Sequence, residues 1–139
     1  MTSRTAVRSL AASLAVPAVL LTGCSASEDE LREEAFCQQV PDLLEDIADD
    51  VTTVYADPRS APAVLDEAVD RLEAVEPPQE AAGLWDDLVS SWTALTDLIE
   101  SADLTDPSAN ADLADEATRL QGDLVSAGEA VDEYSRENC

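Results

Sequence analysis

Four stretches of the chain place apolar side chains at steps of three and four, the spacing of one face of an α-helix. The first runs from about Leu31 to Tyr55, with Phe36, Val40, Leu43, Ile47, Val51 and Val54 on the stripe. Pro41 lies inside it. An interior proline removes a backbone hydrogen bond and crowds the preceding turn, so a kink or a break is expected near Pro41. Residues Asp57 to Pro62 then read as a turn, with Ser60 placed to cap the next helix. The second stripe carries Val64, Leu65, Ala68, Val69, Leu72 and Val75 and ends at "EPPQE", where paired prolines cannot continue a helix. The third carries Leu84, Trp85, Leu88, Trp92, Leu95, Leu98 and Ile99. It stops near "SADLTDP", where Asp106 caps a fourth helix with Pro107 at its first position.

The fourth stripe is the most regular. Leu113, Ala117, Leu120, Leu124, Ala127, Val131 and Tyr134 alternate steps of four and three, the heptad spacing of coiled-coil-like packing. Gly122 and Gly128 fall off this stripe and weaken the helix modestly. No stretch alternates apolar and polar residues convincingly, and hairpin dipeptides are missing. The fold class is therefore all-α. Short connections make four such helices an antiparallel, up-down four-helix bundle. Tyr55 and Tyr134 are expected to close its ends.

The segment before the first stripe has a different character. Arg4 and Arg8 form a basic leader, and Leu10 to Leu21 is apolar apart from Ser13. A membrane-spanning helix needs about 20 apolar residues, so this run is too short and fits a secretory signal instead. It ends on Leu21-Thr22-Gly23-Cys24, which resembles the bacterial lipobox. The resemblance implies that Cys24 receives a diacylglycerol and that the bond between Gly23 and Cys24 is cleaved. Three parts follow: a lipoprotein signal over 1–23, a lipidated cysteine and short tether over 24–30, and a helical domain over 31–139. Ser27 and Glu30 have capping-box spacing at the end of the tether.

Charge narrows the partners. Cleavage would remove Arg4 and Arg8 and leave 31 acids against five arginines, a net charge of −26 on 116 residues. Such a chain lacks the basic contacts that nucleic acid requires. Acidity of this degree also suits disorder, but the apolar fraction of 45% and its periodic placement argue for a packed domain.

The chain has no histidine and no lysine. Ser-His, Ser-Lys and Cys-His nucleophiles cannot be assembled, and neither can the Glu-x-x-His set of a di-iron bundle. A carboxylate pair could support glycoside hydrolysis, yet close carboxylates are unavoidable among 31 acids, and only five aromatic residues are present to stack a sugar. The reading is non-enzymatic, without a cofactor other than the covalent lipid on Cys24. Acids cluster as Asp42, Glu45, Asp46, Asp49 and Asp50, and as Asp86 and Asp87. These are hard oxygen ligands suited to Ca²⁺ or Mg²⁺, but no EF-hand loop is encoded, and the reading is a solvated acidic face with diffuse counterions and no metal site. Trp85 and Trp92, seven apart, share a helix face. They either fill the core or form a candidate ligand face.

The runs "AFCQQVPDLL", "VEPPQEAAGLWDDL" and "ENC" resemble a class of small actinobacterial secreted or lipid-anchored helical proteins. Its members share an early Phe-Cys, a Pro-Pro turn leading into a Trp-bearing helix, and a late Cys. The resemblance supports the helical fold and a disulfide, and implies no particular activity. Independently, Cys37 and Cys139 remain as an even pair once Cys24 is acylated. An up-down bundle brings the start of its first helix beside the end of its last, so Cys37 and Cys139 are expected to bridge. The functional expectation is a lipid-anchored module outside the cytoplasmic membrane that binds another envelope protein. The alternative is a lipoprotein that takes a small ligand or divalent cation on the Trp85/Trp92 face or the acidic clusters.

Overall fold

The computed structural model describes residues 27–139; Gly23 and Cys24 lie outside them. Helix α1 (Glu28–Val54) begins on a reciprocal cap. Ser27 Oγ accepts from the Glu30 N–H at 3.2 Å, and Glu30 Oε2 accepts from the Ser27 N–H at 2.6 Å, which satisfies two donors that have no partner inside the helix. Glu28, Asp29 and Glu30 fill the first turn and complement the positive end of the helix dipole. No break occurs at Pro41. The helix runs through it, and Pro41 is exposed, so its ring displaces none of the core.

A 3-10 turn at Pro58–Ser60 leads into α2 (Ala61–Glu73). Ser60 does not cap α2. It is the last residue of the turn, with φ −78° and ψ −11°, whereas a capping residue needs extended backbone. Its hydroxyl donates to the Asp57 carbonyl at 2.7 Å, and Asp57 caps the turn by accepting from the Arg59 N–H at 3.2 Å. The next helix, α3 (Ala82–Ser101), follows the two prolines. Asp106 acts one element earlier than expected. It accepts from the Ser108 N–H at 3.1 Å and caps a 3-10 turn at Pro107–Leu113, after which α4 (Ala114–Asn138) begins.

The four helices form an antiparallel bundle, with no strand among the described residues. The longest interface joins α3 and α4, α2 packs along α3, and α1 rests on α2. The core unites Phe36, Val40 and Ile47 of α1, Ala68 and Leu72 of α2, Trp85 and Leu88 of α3, and Ala127, Val131 and Tyr134 of α4. These are the central positions of the apolar stripes, and burying each large apolar side chain stabilises by about 1.5–3 kcal/mol. Toward the end formed by the Pro107–Leu113 turn the packing loosens: Leu95, Leu98, Ile99, Leu113 and Ala117 are only half-buried.

The opposite end is tied more firmly. There the start of α1, the α2–α3 connection and the end of α4 meet. The Gln79 N–H donates to Asp29 Oδ1 at 2.8 Å, and Pro78 is fully buried between α2 and α3. The tyrosines behave unequally. Tyr55 is 85% exposed and seals nothing, whereas Tyr134 is 8% exposed and belongs to the core.

Candidate functional site

Three aromatic rings meet at the firmly tied end. Phe36 stands edge-on to Trp85 at 5.3 Å between centroids and edge-on to Tyr134 at 5.9 Å, the geometry that aromatic quadrupoles favour. One residue along α1, Cys37 lies at disulfide distance from Cys139, with S–S 2.01 Å and Cα–Cα 5.4 Å. The terminal cysteine is carried there by α4, whose last turn its own N–H closes by donating to the Ser135 carbonyl at 2.9 Å. Burial, and after it the carboxylates of Glu33, Glu80 and Asp29, push the Tyr134 phenol above its ordinary pKa. The phenol thus sits beneath a rim of carboxylates and stays neutral through the ordinary pH range.

Trp85 is 2% exposed, and its indole N–H donates to the Leu72 carbonyl at 3.0 Å. The polar handle that a ligand would use is thus occupied by the end of α2. Trp92 is half-buried and packs against the same core. As a pair they hold α3 to the bundle, and Trp85 alone of the two borders a hollow with Val75, Pro77 and Val89.

The acidic cluster of α1 does not stand alone. Arg71 of α2 reaches Asp50 at 2.9 Å and Asp46 at 3.4 Å, bridging the two helices. Arg32 pairs with Glu76 at 3.8 Å, Arg119 with Glu116 and Asp123, and Arg136 with Asp132. These pairs are largely exposed, where each contributes about 0–1 kcal/mol. They leave most acids without a cation. Asp86 and Asp87 are exposed at the start of α3, and Asp87 borders a groove between α3 and α4 with Ser90, Ser91, Arg119 and Ser126. Among the described residues, no three His, Cys, Asp or Glu side chains converge as metal ligands.

One polar cluster escapes periodicity arguments. In the α3–α4 connection, Asp103 Oδ1 accepts from the Thr105 hydroxyl at 2.7 Å, the Thr105 N–H at 2.8 Å and the Asp106 N–H at 3.0 Å. The Thr105 hydroxyl, then those two backbone groups, hold its carboxyl below the usual range. Asn110 closes the loop across seven residues, its Oδ1 accepting from the Asp103 N–H and its Nδ2 donating to the Asp103 carbonyl. The "DLTDPS" string carries the signal for it, since Asp and Ser favour such side-chain turns. The cluster is self-satisfied and shapes the loop.

Among the described residues, no helix is long and apolar enough to cross a membrane. No family model, curated protein or solved structure matches the chain.

Proposed function

We propose that the protein is a bacterial lipoprotein, held to the outer face of the cytoplasmic membrane by lipid on Cys24, whose helical bundle binds another envelope protein and carries no catalytic site. The observation that carries the reading is Leu21-Thr22-Gly23-Cys24 directly behind a basic leader and a short apolar run. Two acyl chains on one sulfur give stable attachment where one chain is marginal. A bundle that begins at Glu28, four residues after Cys24, fits this role, because it stands close to the bilayer. The Cys37–Cys139 pair fits an exported, oxidising setting. Residue chemistry supports a binding role over a reaction: the chain has no histidine or lysine.

The test is Cys24→Ser in the native host. The variant is expected to lose metabolic lipid labelling and to remain uncleaved after Gly23. A variant that is processed and retained in the membrane like the parent protein rules the anchor out.

A further inference from the structure

The loosely packed end of the bundle holds an apolar cavity. It has a volume of roughly 290 Å³ and opens between the end of α3, the following loop and the start of α4. Leu98, Ile99, Leu104, Leu113 and Ala117 line it, all half-buried. The elements that line it carry several acids. Glu100 of α3, Asp112 of the 3-10 turn and Asp115 of α4 are exposed on the lining elements. No arginine or lysine occurs between Arg71 and Arg119, so α3 and the turn carry no cation at all.

We propose that this cavity is a docking site for a basic amphipathic segment of a partner protein, one apolar side chain entering the cavity while flanking Lys or Arg residues meet the acids exposed on the surrounding elements. The proposal rests on the envelope-partner role above and supplies the chemistry of that partner. Charge complementarity selects the occupant. A second copy of this chain would bring another large negative charge to the same acids, and like charges across an interface disfavour the wrong partner. The chain's own tether is too far away: α1, with 27 residues, is about 40 Å long, and the four residues from Cys24 to Ser27 span at most about 14 Å.

Titration calorimetry of the folded domain, residues 25–139, with a synthetic helical peptide of leucine and lysine provides the test. A peptide of equal charge with alanine in place of leucine, and an acidic peptide of glutamate and leucine, are the controls. The Leu/Lys peptide is expected to bind at one site, more weakly as NaCl rises, and the acidic peptide not at all. Leu104→Ser, which lies in a loop rather than a helix, should weaken the Leu/Lys peptide about tenfold and leave the Ala/Lys peptide unchanged. Ala117→Leu, which fills the cavity, should have the same effect, and circular dichroism melts identify any variant that fails to fold. Unchanged binding by both folded variants means attraction by charge alone and overturns the site. So does a concentration-dependent dimer in sedimentation that Ala117→Leu abolishes, because the occupant is then a second copy. Crosslinking of the anchored protein to an envelope partner through another face would also remove this site while leaving the envelope-partner role intact.

Discussion

Cys37 and Cys139 lie 5.4 Å apart between Cα atoms and 102 residues apart in sequence. They join α1 to α4, two helices that share little backbone contact. Beside them Phe36 and Tyr134 make an edge-on aromatic contact between those helices. A covalent tie at this point would close the ring of helices that α1–α2, α2–α3 and α3–α4 packing leaves open.

Opening that tie should lower stability substantially. Closing a loop of about 100 residues is worth up to roughly 4.7 kcal/mol on the chain-entropy model, a large share of the stability of a typical small domain. Cys37→Ser combined with Cys139→Ser is expected to lower Tm by on the order of 10–30 °C. Intact mass after alkylation checks the bridge: alkyl groups should add only after reduction. Two thiols that alkylate without reductant would show the bridge to be absent in solution.

Gly122 and Gly128 should be replaceable at a gain. Both lie within α4, and an added Cβ would meet nothing within 4 Å at either position. Glycine in a helix interior costs about 1 kcal/mol relative to alanine. Gly122→Ala and Gly128→Ala are therefore each expected to raise the urea midpoint, with additive effects. Loss of stability in either would mean that a neighbouring chain or helix needs the open space.

Periodicity made the bundle legible, and its limits are equally physical. Phe36, Val40, Ile47, Leu65, Leu72, Trp85, Leu88, Leu120 and Val131 are buried where the 3.6-residue stripes place them. The Ser27/Glu30 cap was legible because both partners lie within one turn. Asp106 starts a 3-10 turn that stands between it and α4, whereas Ser60 directly precedes α2 but, as the last residue of its own 3-10 turn, has helical backbone and turns its hydroxyl back to the Asp57 carbonyl. Pro78 reads as loop, yet its burial follows from how α2 and α3 converge. Tyr134 continues the heptad of α4, but only the meeting of α1 and α4 turns a rim residue into a core residue. The functional residues divide the same way. Cys37 and Cys139 follow from topology, whereas the cavity around Leu104 depends on a loop conformation set by Asp103, Thr105 and Asn110.

Stability should fall at alkaline pH through Tyr134. Burial, followed by Glu33, Glu80 and Asp29, raises its pKa in the folded protein, so the unfolded chain ionises first. The stabilisation is complete below the ordinary tyrosine value of about 10 and is lost as pH rises through the folded value. Tyr134→Phe keeps the edge contact with Phe36 and removes the ionisable group. Thermal melts above pH 10 should show the parent protein losing stability faster than the variant. Parallel loss in both would assign the alkaline transition to another group.

The last prediction concerns Pro41, which sits in the interior of α1 without interrupting it. Lacking an N–H, it leaves the carbonyl of Cys37, one turn earlier, without its helical donor, and the ring crowds that same turn. Its cost in a helix interior is about 3 kcal/mol relative to alanine, offset by up to about 1 kcal/mol because proline also restricts the unfolded chain. Pro41 is exposed, while Val40 and Phe36 beside it are 1% exposed. Alanine at 41 therefore removes no core contact and restores one backbone hydrogen bond next to the cysteine bridge. Pro41→Ala is expected to stabilise the domain by about 1–2 kcal/mol, read as a higher denaturant midpoint with an unchanged slope. A neutral or lower midpoint would mean that the proline's local geometry is what directs Phe36 and Val40 into the core, and that straightening α1 costs more packing than the hydrogen bond returns.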